Sequence, residues 1–147
     1  MRILHILDHS LPLHSGYTFR TRAILKAQFE RGWEVAGITG ARHTADGPQV
    51  EIVDGLTFHR APKPAPAPPP LGEWREIAAL AKGVDRLVEE WKPDLLHAHS
   101  PVLTALAGLR VAKRRKLPLL YEIRAFWEDA SVGNGTDLGR RYLDMLK

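Results

Sequence analysis

Leu95-Leu96-His97-Ala98-His99-Ser100-Pro101 is the stretch whose reading decides the fold. Lys92-Pro93-Asp94 leads into it, a short apolar run follows, and the chain beyond turns helical. The run predicts a strand from Leu95 to His99. Ser100 is a favoured N-cap residue, and Pro101 suits the first helical position, where no N–H is needed. Two imidazoles thus reach the carboxyl end of a strand beside the start of a helix. In an open α/β sheet, that edge is where ligands bind.

The rest of the chain follows the same alternation. Ile3 to Asp8 is a compact apolar run with one histidine, the pattern of a buried parallel strand. A loop from Ser10 to Gly16 leads to a helix over about Thr18 to Glu30, with Phe19, Ala23 and Ala27 spaced four apart and Arg31-Gly32 as its stop. Glu34 to Thr39 is the second strand. After a polar loop from Ala41 to Pro48, Val50 to His59 predicts a hairpin turning at Asp54-Gly55. Pro62 to Pro70 is a proline-rich, exposed connection inside the domain. Trp74, Ile77, Ala78, Ala81, Val84, Leu87, Val88 and Trp91 then recur at helical spacing. The strand Leu95 to His99 is followed by a helix from Pro101 to about Lys116, ended by Pro118, and by a strand from Leu119 to Arg124. A glycine-rich stretch follows, and Arg140 to Lys147 reads as a further helix with Leu143 and Leu146 on an apolar face. Alternating strands and helices predict an α/β fold with a doubly wound, mostly parallel sheet and helices on both faces.

Composition excludes several classes. The 147 residues suit one domain with a proper core. The net charge of +4 owes much to one run, Lys113-Arg114-Arg115-Lys116, so it does not call for a nucleic-acid partner. That run ends a helix, where positive charge is favourable and usually solvated; contact with a membrane surface is the sharper alternative. No cysteine is present, so disulfides, thiolate metal sites and cysteine nucleophiles are excluded. No apolar run approaches the roughly 18 to 20 residues of a spanning helix. Asp8 and His9 break the N-terminal apolar run, which is therefore no signal peptide. A cytoplasmic protein is the expectation.

The topology filters the polar residues, because functional groups should cluster where strands end and helices begin. Four groups pass: His9 with Ser15 and Gly16; Thr39 and Gly40; His99 and Ser100; and Arg124 through Glu128. A glycine just before a helix lets a phosphate approach free N–H groups, but a plain glycine turn with a serine cap fits Ser15-Gly16 as well. The GxGxxG spacing of a dinucleotide site is absent. His97 and His99 share a strand face, which leaves a metal pair open, yet no nearby acid completes a ligand set. His97 reads as a core histidine. His99 reads as the site residue, held neutral by its place at a helix start. Glu122 and Arg124 share a face and can pair. Trp127 and Phe126 fit either a sugar floor or ordinary packing.

These residues together resemble a known family. Met1-Arg2-Ile3-Leu4-His5-Ile6, then Glu30-Arg31-Gly32-Trp33-Glu34-Val35 and Lys92 to His99, resemble the N-terminal domain of family 4 glycosyltransferases of GT-B architecture. Asp8 to Tyr17 and Tyr121 to Glu128 are similar to the glycosyltransferases of exosortase and exopolysaccharide loci. The resemblance implies a Rossmann-like acceptor-side domain over 1–147, cut from a two-domain chain, with the proline-rich loop 62–70 as an unusual insertion. It implies retaining, metal-independent transfer of a sugar from a nucleoside-diphosphate donor to a hydroxyl of a carbohydrate or lipid-linked acceptor. No further cofactor and no nucleic acid are implied, and peripheral membrane contact is left open. By the same resemblance, Ser15 and Gly16 would bind the donor phosphate, and His99 would be catalytic against the transferred sugar. His9, Arg124 and Glu128 would line the acceptor side. A noncatalytic nucleotide- or peptide-binding module and a metal hydrolase built on His97 and His99 are the competing readings.

Overall fold

A computed structural model describes residues 1–124. The strands are β1 (Arg2–Leu7), β2 (Glu34–Thr39), β3 (Val50–Val53), β4 (Leu56–Arg60), β5 (Leu95–His99) and β6 (Leu119–Glu122). The helices are α1 (Gly16–Glu30), α2 (Leu71–Trp91) and α3 (Val102–Arg115). One sheet contains every strand, in the order β3-β4-β2-β1-β5-β6. All neighbours are parallel except β3 and β4, which form the expected hairpin. Asp54 and Gly55 both take positive φ, 55° and 75°, which the two-residue turn between Val53 and Leu56 requires.

Strand order sets the place of the site. The β1–α1–β2 unit moves away from β1 in one direction. The long α2 crossover returns past β1 and places β5 on its other side. The order therefore reverses at β1, and the crevice of a doubly wound sheet opens beyond the carboxyl ends of β1 and β5.

The two faces of the sheet differ in chemistry. Leu4, Ile6, Ala36, Ile38, Leu96 and Ala98 face α2 and α3 and join Ile77, Leu80, Val84, Leu103 and Val111 in the main core. Each leucine, isoleucine or valine among them contributes roughly 1.5–3 kcal/mol when fully buried. The alternate residues face α1. There, Leu7, Leu11, Leu25, Leu56 and Phe58 form a small second cluster, while the rest of the face carries His5, His97 and His99.

Several sequence expectations shift. Phe19, Ala23 and Ala27 do not form the buried face of α1; all three are exposed, and Thr18, Thr21 and Leu25 are buried instead. The helix covers a partly polar sheet face, so its inner side is not an apolar stripe. Trp74 heads the α2 stripe yet is exposed, because α2 begins at Leu71 and its first turn projects beyond the sheet. Ser100 does not cap α3. Pro101 occupies the N-cap position without a side-chain hydrogen bond, and Thr104 turns its hydroxyl back to the Pro101 carbonyl at 2.9 Å. β6 ends at Glu122, two residues short of Arg124. The 62–70 stretch runs without regular structure up to a turn at Pro69 and Pro70. In the basic run, Arg114 and Arg115 reach across to Asp85 and Glu89 on α2, so half of that charge is matched within the fold. No helix among the described residues is long and apolar enough to cross a membrane. Residues 125–147, with Phe126, Trp127, Glu128, the glycine-rich stretch and the expected last helix, lie outside the described residues.

One glycine is fixed by close approach. A Cβ on Gly37 in β2 would stand 2.8 Å from Phe58 Cδ1 and 3.1 Å from Leu7 Cδ1, and Phe58 has no room to yield. Gly37→Ala is expected to cost about 1–3 kcal/mol, measurable as a lowered urea midpoint at unchanged m-value.

Candidate functional site

The crevice is built from three strand ends and the first turn of α1. At the end of β1, Asp8 Oδ2 takes a hydrogen bond from His9 Nδ1 at 2.8 Å, and His9 Nε2 lies 2.9 Å from Ser15 Oγ. The His9 ring also stacks on Tyr17, with centroids 4.6 Å apart. Ser15 is a true N-cap. Its Oγ accepts the Thr18 N–H at 3.1 Å, and the Thr18 hydroxyl accepts the Ser15 N–H at 2.9 Å, closing a capping box. Gly16 follows, and a Cβ placed there would meet nothing within 4 Å. Gly16 is exposed at the helix start, the kind of position where an anion can approach free helix amides.

Arg124 joins this turn to the other side of the sheet. Its Nη1 donates to the Tyr17 carbonyl at 2.9 Å, and the guanidinium lies 4.5 Å from the Tyr17 ring centroid. Its Nε donates to Glu122 Oε2 at 2.9 Å, and its Nη2 approaches His99 Nδ1 at 2.6 Å. The Arg124 backbone N–H binds Ser100 Oγ at 2.8 Å. One side chain therefore ties α1 to the ends of β5 and β6. Arg124, His99, Glu122 and the start of α1 converge although they are remote in sequence.

His99 is placed differently from the expectation. It lies at the end of β5, but its ring is fully buried and both nitrogens are engaged. Its Nε2 is 2.8 Å from His5 Nδ1, and His5 Nε2 is 2.8 Å from Gln28 Oε1 on α1. In this arrangement the His99 ring has no open edge, and its outer nitrogen meets Arg124 and Glu122. Burial lowers the pKa of His5 to about 3 and also lowers those of His97 and His99, with the neighbouring imidazoles of the stack adding to the effect at His5 and His99. All three rings are neutral near pH 7. The expected neutral His99 is found, but the first cause is desolvation rather than a helix terminus.

The same cluster is the natural place to look for a metal. Ring nitrogens of His5, His97 and His99 lie within 4.8 Å of one another. However, His97 and His99 stack almost parallel, 4.2 Å apart at 11°. Parallel rings direct their in-plane lone pairs side by side rather than at one point, and His5 and His99 bind each other. As it stands, the cluster is a hydrogen-bonded stack and not a converging ligand set. His97 Nε2 is buried without a partner among the described residues.

Sequence reasoning missed four contributors. Arg60, at the end of β4, donates to Ser10 Oγ, Thr39 Oγ1, the Leu11 carbonyl and Glu51, and so pins the β1 loop to the ends of β2 and β4. Thr39 thereby serves the scaffold, while Gly40 lines a small crevice with Asp8, Arg42 and Glu76. Tyr17 supplies the ring under Arg124. His5 and Gln28 lie beneath the rim. The one available signal was parity: His5 pairs in register with His97, so the histidines had to share a face.

Comparison with known proteins follows from this geometry. A family model described as a glycosyl transferase 4-like domain matches residues 15–146. No curated protein matches significantly. Among solved structures, the catalytic domain of starch synthase IV from Arabidopsis thaliana, bound to ADP and acarbose, is 15% identical, with a TM-score of 0.63 over 84% of this chain and 34% of its own. Sucrose-phosphate synthase from Thermosynechococcus elongatus is 16% identical, with a TM-score of 0.58 over 83% and 32%. A Streptomyces sp. SF2575 glycosyltransferase complexed with thymidine diphosphate is 21% identical, with a TM-score of 0.57 over 84% and 38%. At these identities the likeness establishes the fold: a Rossmann-like half of the GT-B kind. The chain spans about a third of each of those proteins.

The buried imidazoles make a pH prediction. Their folded pKa values lie below the unfolded value near 6.5, so the unfolded chain binds more protons as pH falls. Stability is complete above pH 6.5 and is lost toward pH 3, at up to about 1.4 kcal/mol per pH unit for each such histidine. The depressed carboxylates Asp54 and Asp85 act only at the acid end of this window. Urea midpoints should be flat above pH 7 and fall from about pH 6.5, with the slope reduced by about one proton in His5→Gln.

Proposed function

Because the chain belongs to the glycosyl transferase 4-like domain family, we propose that it is the acceptor-side half of a retaining glycosyltransferase. That enzyme moves a sugar from a nucleoside-diphosphate donor to a hydroxyl in exopolysaccharide biosynthesis. The observation that carries the reading is the bond from the Arg124 guanidinium to the first turn of α1, beside the exposed Gly16, at the sheet reversal. Both features favour a diphosphate whose negative charge grows as the glycosidic bond breaks. The family match and the nucleotide-bearing structural neighbours support the same assignment.

In this reading the Gly16 and Tyr17 amides face the donor phosphates, and the Ser15 hydroxyl holds the turn. Arg124 adds positive charge, oriented by Glu122, His99 and the Tyr17 carbonyl. His9 lines the acceptor side. The anomeric carbon–phosphate oxygen bond breaks while the acceptor oxygen bonds the same carbon from the same face, and the leaving phosphate takes the acceptor proton. Helix amides and arginine supply the counter-charge, so a metal is not required. The acceptor is a carbohydrate or a lipid-linked carbohydrate met at the inner membrane face, where the exposed Lys113 and Lys116 add positive surface. The second half of the enzyme holds most of the donor.

The test uses the complete two-domain enzyme. Release of nucleoside diphosphate should depend on acceptor and survive EDTA, and the product should keep the donor's anomeric configuration by NMR. Arg124→Ala should lower the urea midpoint, because it leaves Glu122 and His99 without their partner, and should lower kcat by about 10²–10³ under conditions where circular dichroism shows the variant folded. An inverted product, or turnover unaffected by Arg124→Ala, would defeat the proposal.

A further inference from the structure

A neutral imidazole carries one ring proton, so a chain of neutral histidines has a direction. Gln28 Oε1 is only an acceptor, and it stands 2.8 Å from His5 Nε2, which must therefore carry the His5 proton. His5 Nδ1 is then a bare lone pair. It faces His99 Nε2 at 2.8 Å, which must carry the proton of His99. His99 Nδ1 is left bare, with two neighbours: Glu122 Oε2 at 3.0 Å and Arg124 Nη2 at 2.6 Å. A carboxylate oxygen has nothing to donate to a lone pair, whereas a guanidinium does. Glu122 takes the Arg124 Nε–H at 2.9 Å instead. Every polar atom along the path is satisfied in this one direction.

The opposite direction has a different outcome at the crevice. If the amide of Gln28 turned its NH₂ to His5, both ring protons would move to Nδ1. His99 would then donate to Glu122, and Arg124 would face an N–H instead of an acceptor. Orientation of one side chain near the far end of α1 thus decides whether Arg124 is held at the rim.

We propose that Gln28, acting through His5, sets the tautomer of His99 and thereby fixes Arg124 in the crevice. Gln28 and His5 are positioning residues, and His97 only stacks alongside. The inference rests on Arg124 facing the substrate, as in the function proposed above.

Histidine tautomers are read directly from long-range ¹H–¹⁵N correlations of this chain, without substrate. His5 and His99 should both show the Nε2–H form at pH 7.5, and the Arg124 Nε–H should be protected from exchange. Gln28→Glu, which also only accepts, should leave both tautomers in place. Gln28→Lys, which only donates, should move both rings to Nδ1–H and speed exchange of the Arg124 Nη2 protons, which lose the His99 acceptor, by about tenfold or more, as expected for loss of a hydrogen bond from a charged group. An Nδ1–H form of His99 in the wild-type chain overturns the proposal, and so do tautomers that ignore Gln28→Lys. The wild-type spectrum decides the direction even if the lysine variant does not fold. In the complete transferase, Gln28→Lys should reduce kcat with little effect on donor KM. Reversed tautomers with undiminished transfer would remove the positioning role and leave the transferase reading standing.

Discussion

The hydrogen bonds of Arg124 are the constraint on which the site depends. Its guanidinium reaches the Tyr17 carbonyl, Glu122 and His99 at once, and its backbone N–H reaches Ser100. By contrast, the contact of Arg20 with Glu122 between the same elements is longer and more exposed, at 3.9 Å. A buried guanidinium is costly to desolvate, and the cost is met only when its donors find acceptors. Here the acceptors come from a helix carbonyl, a strand carboxylate and a neutral imidazole. The imidazole qualifies as an acceptor because burial keeps it neutral, so the clamp and the histidine stack depend on each other.

The two sheet faces divide stability and function between them. The α2–α3 face is mostly apolar, with His59 near its β4 edge, and holds most of the buried hydrophobic surface. The α1 face has a smaller apolar cluster beneath β2 and β4, and a polar interior beneath β1 and β5. Such an interior depends on its donors and acceptors finding one another, as they do from Gln28 through His5 to His99, which makes it directional and acid-sensitive. Placing it under α1 puts it directly behind the helix start that borders the crevice. Variation on the apolar face is then felt as stability, and variation on the polar face is felt at Arg124.

What the sequence disclosed follows from this division. Alternation of apolar runs and the α2 periodicity were sufficient for the doubly wound α/β sheet and the hairpin, while the strand order that reverses at β1 came only with the structure. Strand ends and helix starts also brought Gly16, His99 and Arg124 to one rim. The α1 face was illegible because Phe19, Ala23 and Ala27 look like a core stripe, whereas the helix buries Thr18, Thr21 and Leu25 against a half-polar surface. Ser100 was misassigned as a cap because its hydroxyl is used across strands, toward Arg124 and Glu122, and local sequence carries no mark of that. Arg60 was invisible for the same reason, since its partners are 9 to 50 residues away. Local signals give elements; side-chain bonds between elements need the register.

Fold likeness alone leaves the chemistry open, because doubly wound sheets host many activities. The discriminating feature is what fills the reversal point. A dinucleotide site would need a glycine-rich turn wide enough for a pyrophosphate to cross the helix start, and Ser10 to Gly16 has a single glycine. A metal hydrolase would need lone pairs converging on one point, and the histidines are stacked and bonded to each other instead. What remains is the start of α1 beside an arginine held from behind by a helix carbonyl, the Glu122 carboxylate and a neutral imidazole. Because burial keeps that imidazole neutral near pH 7, the arrangement around Arg124 does not change with protonation there.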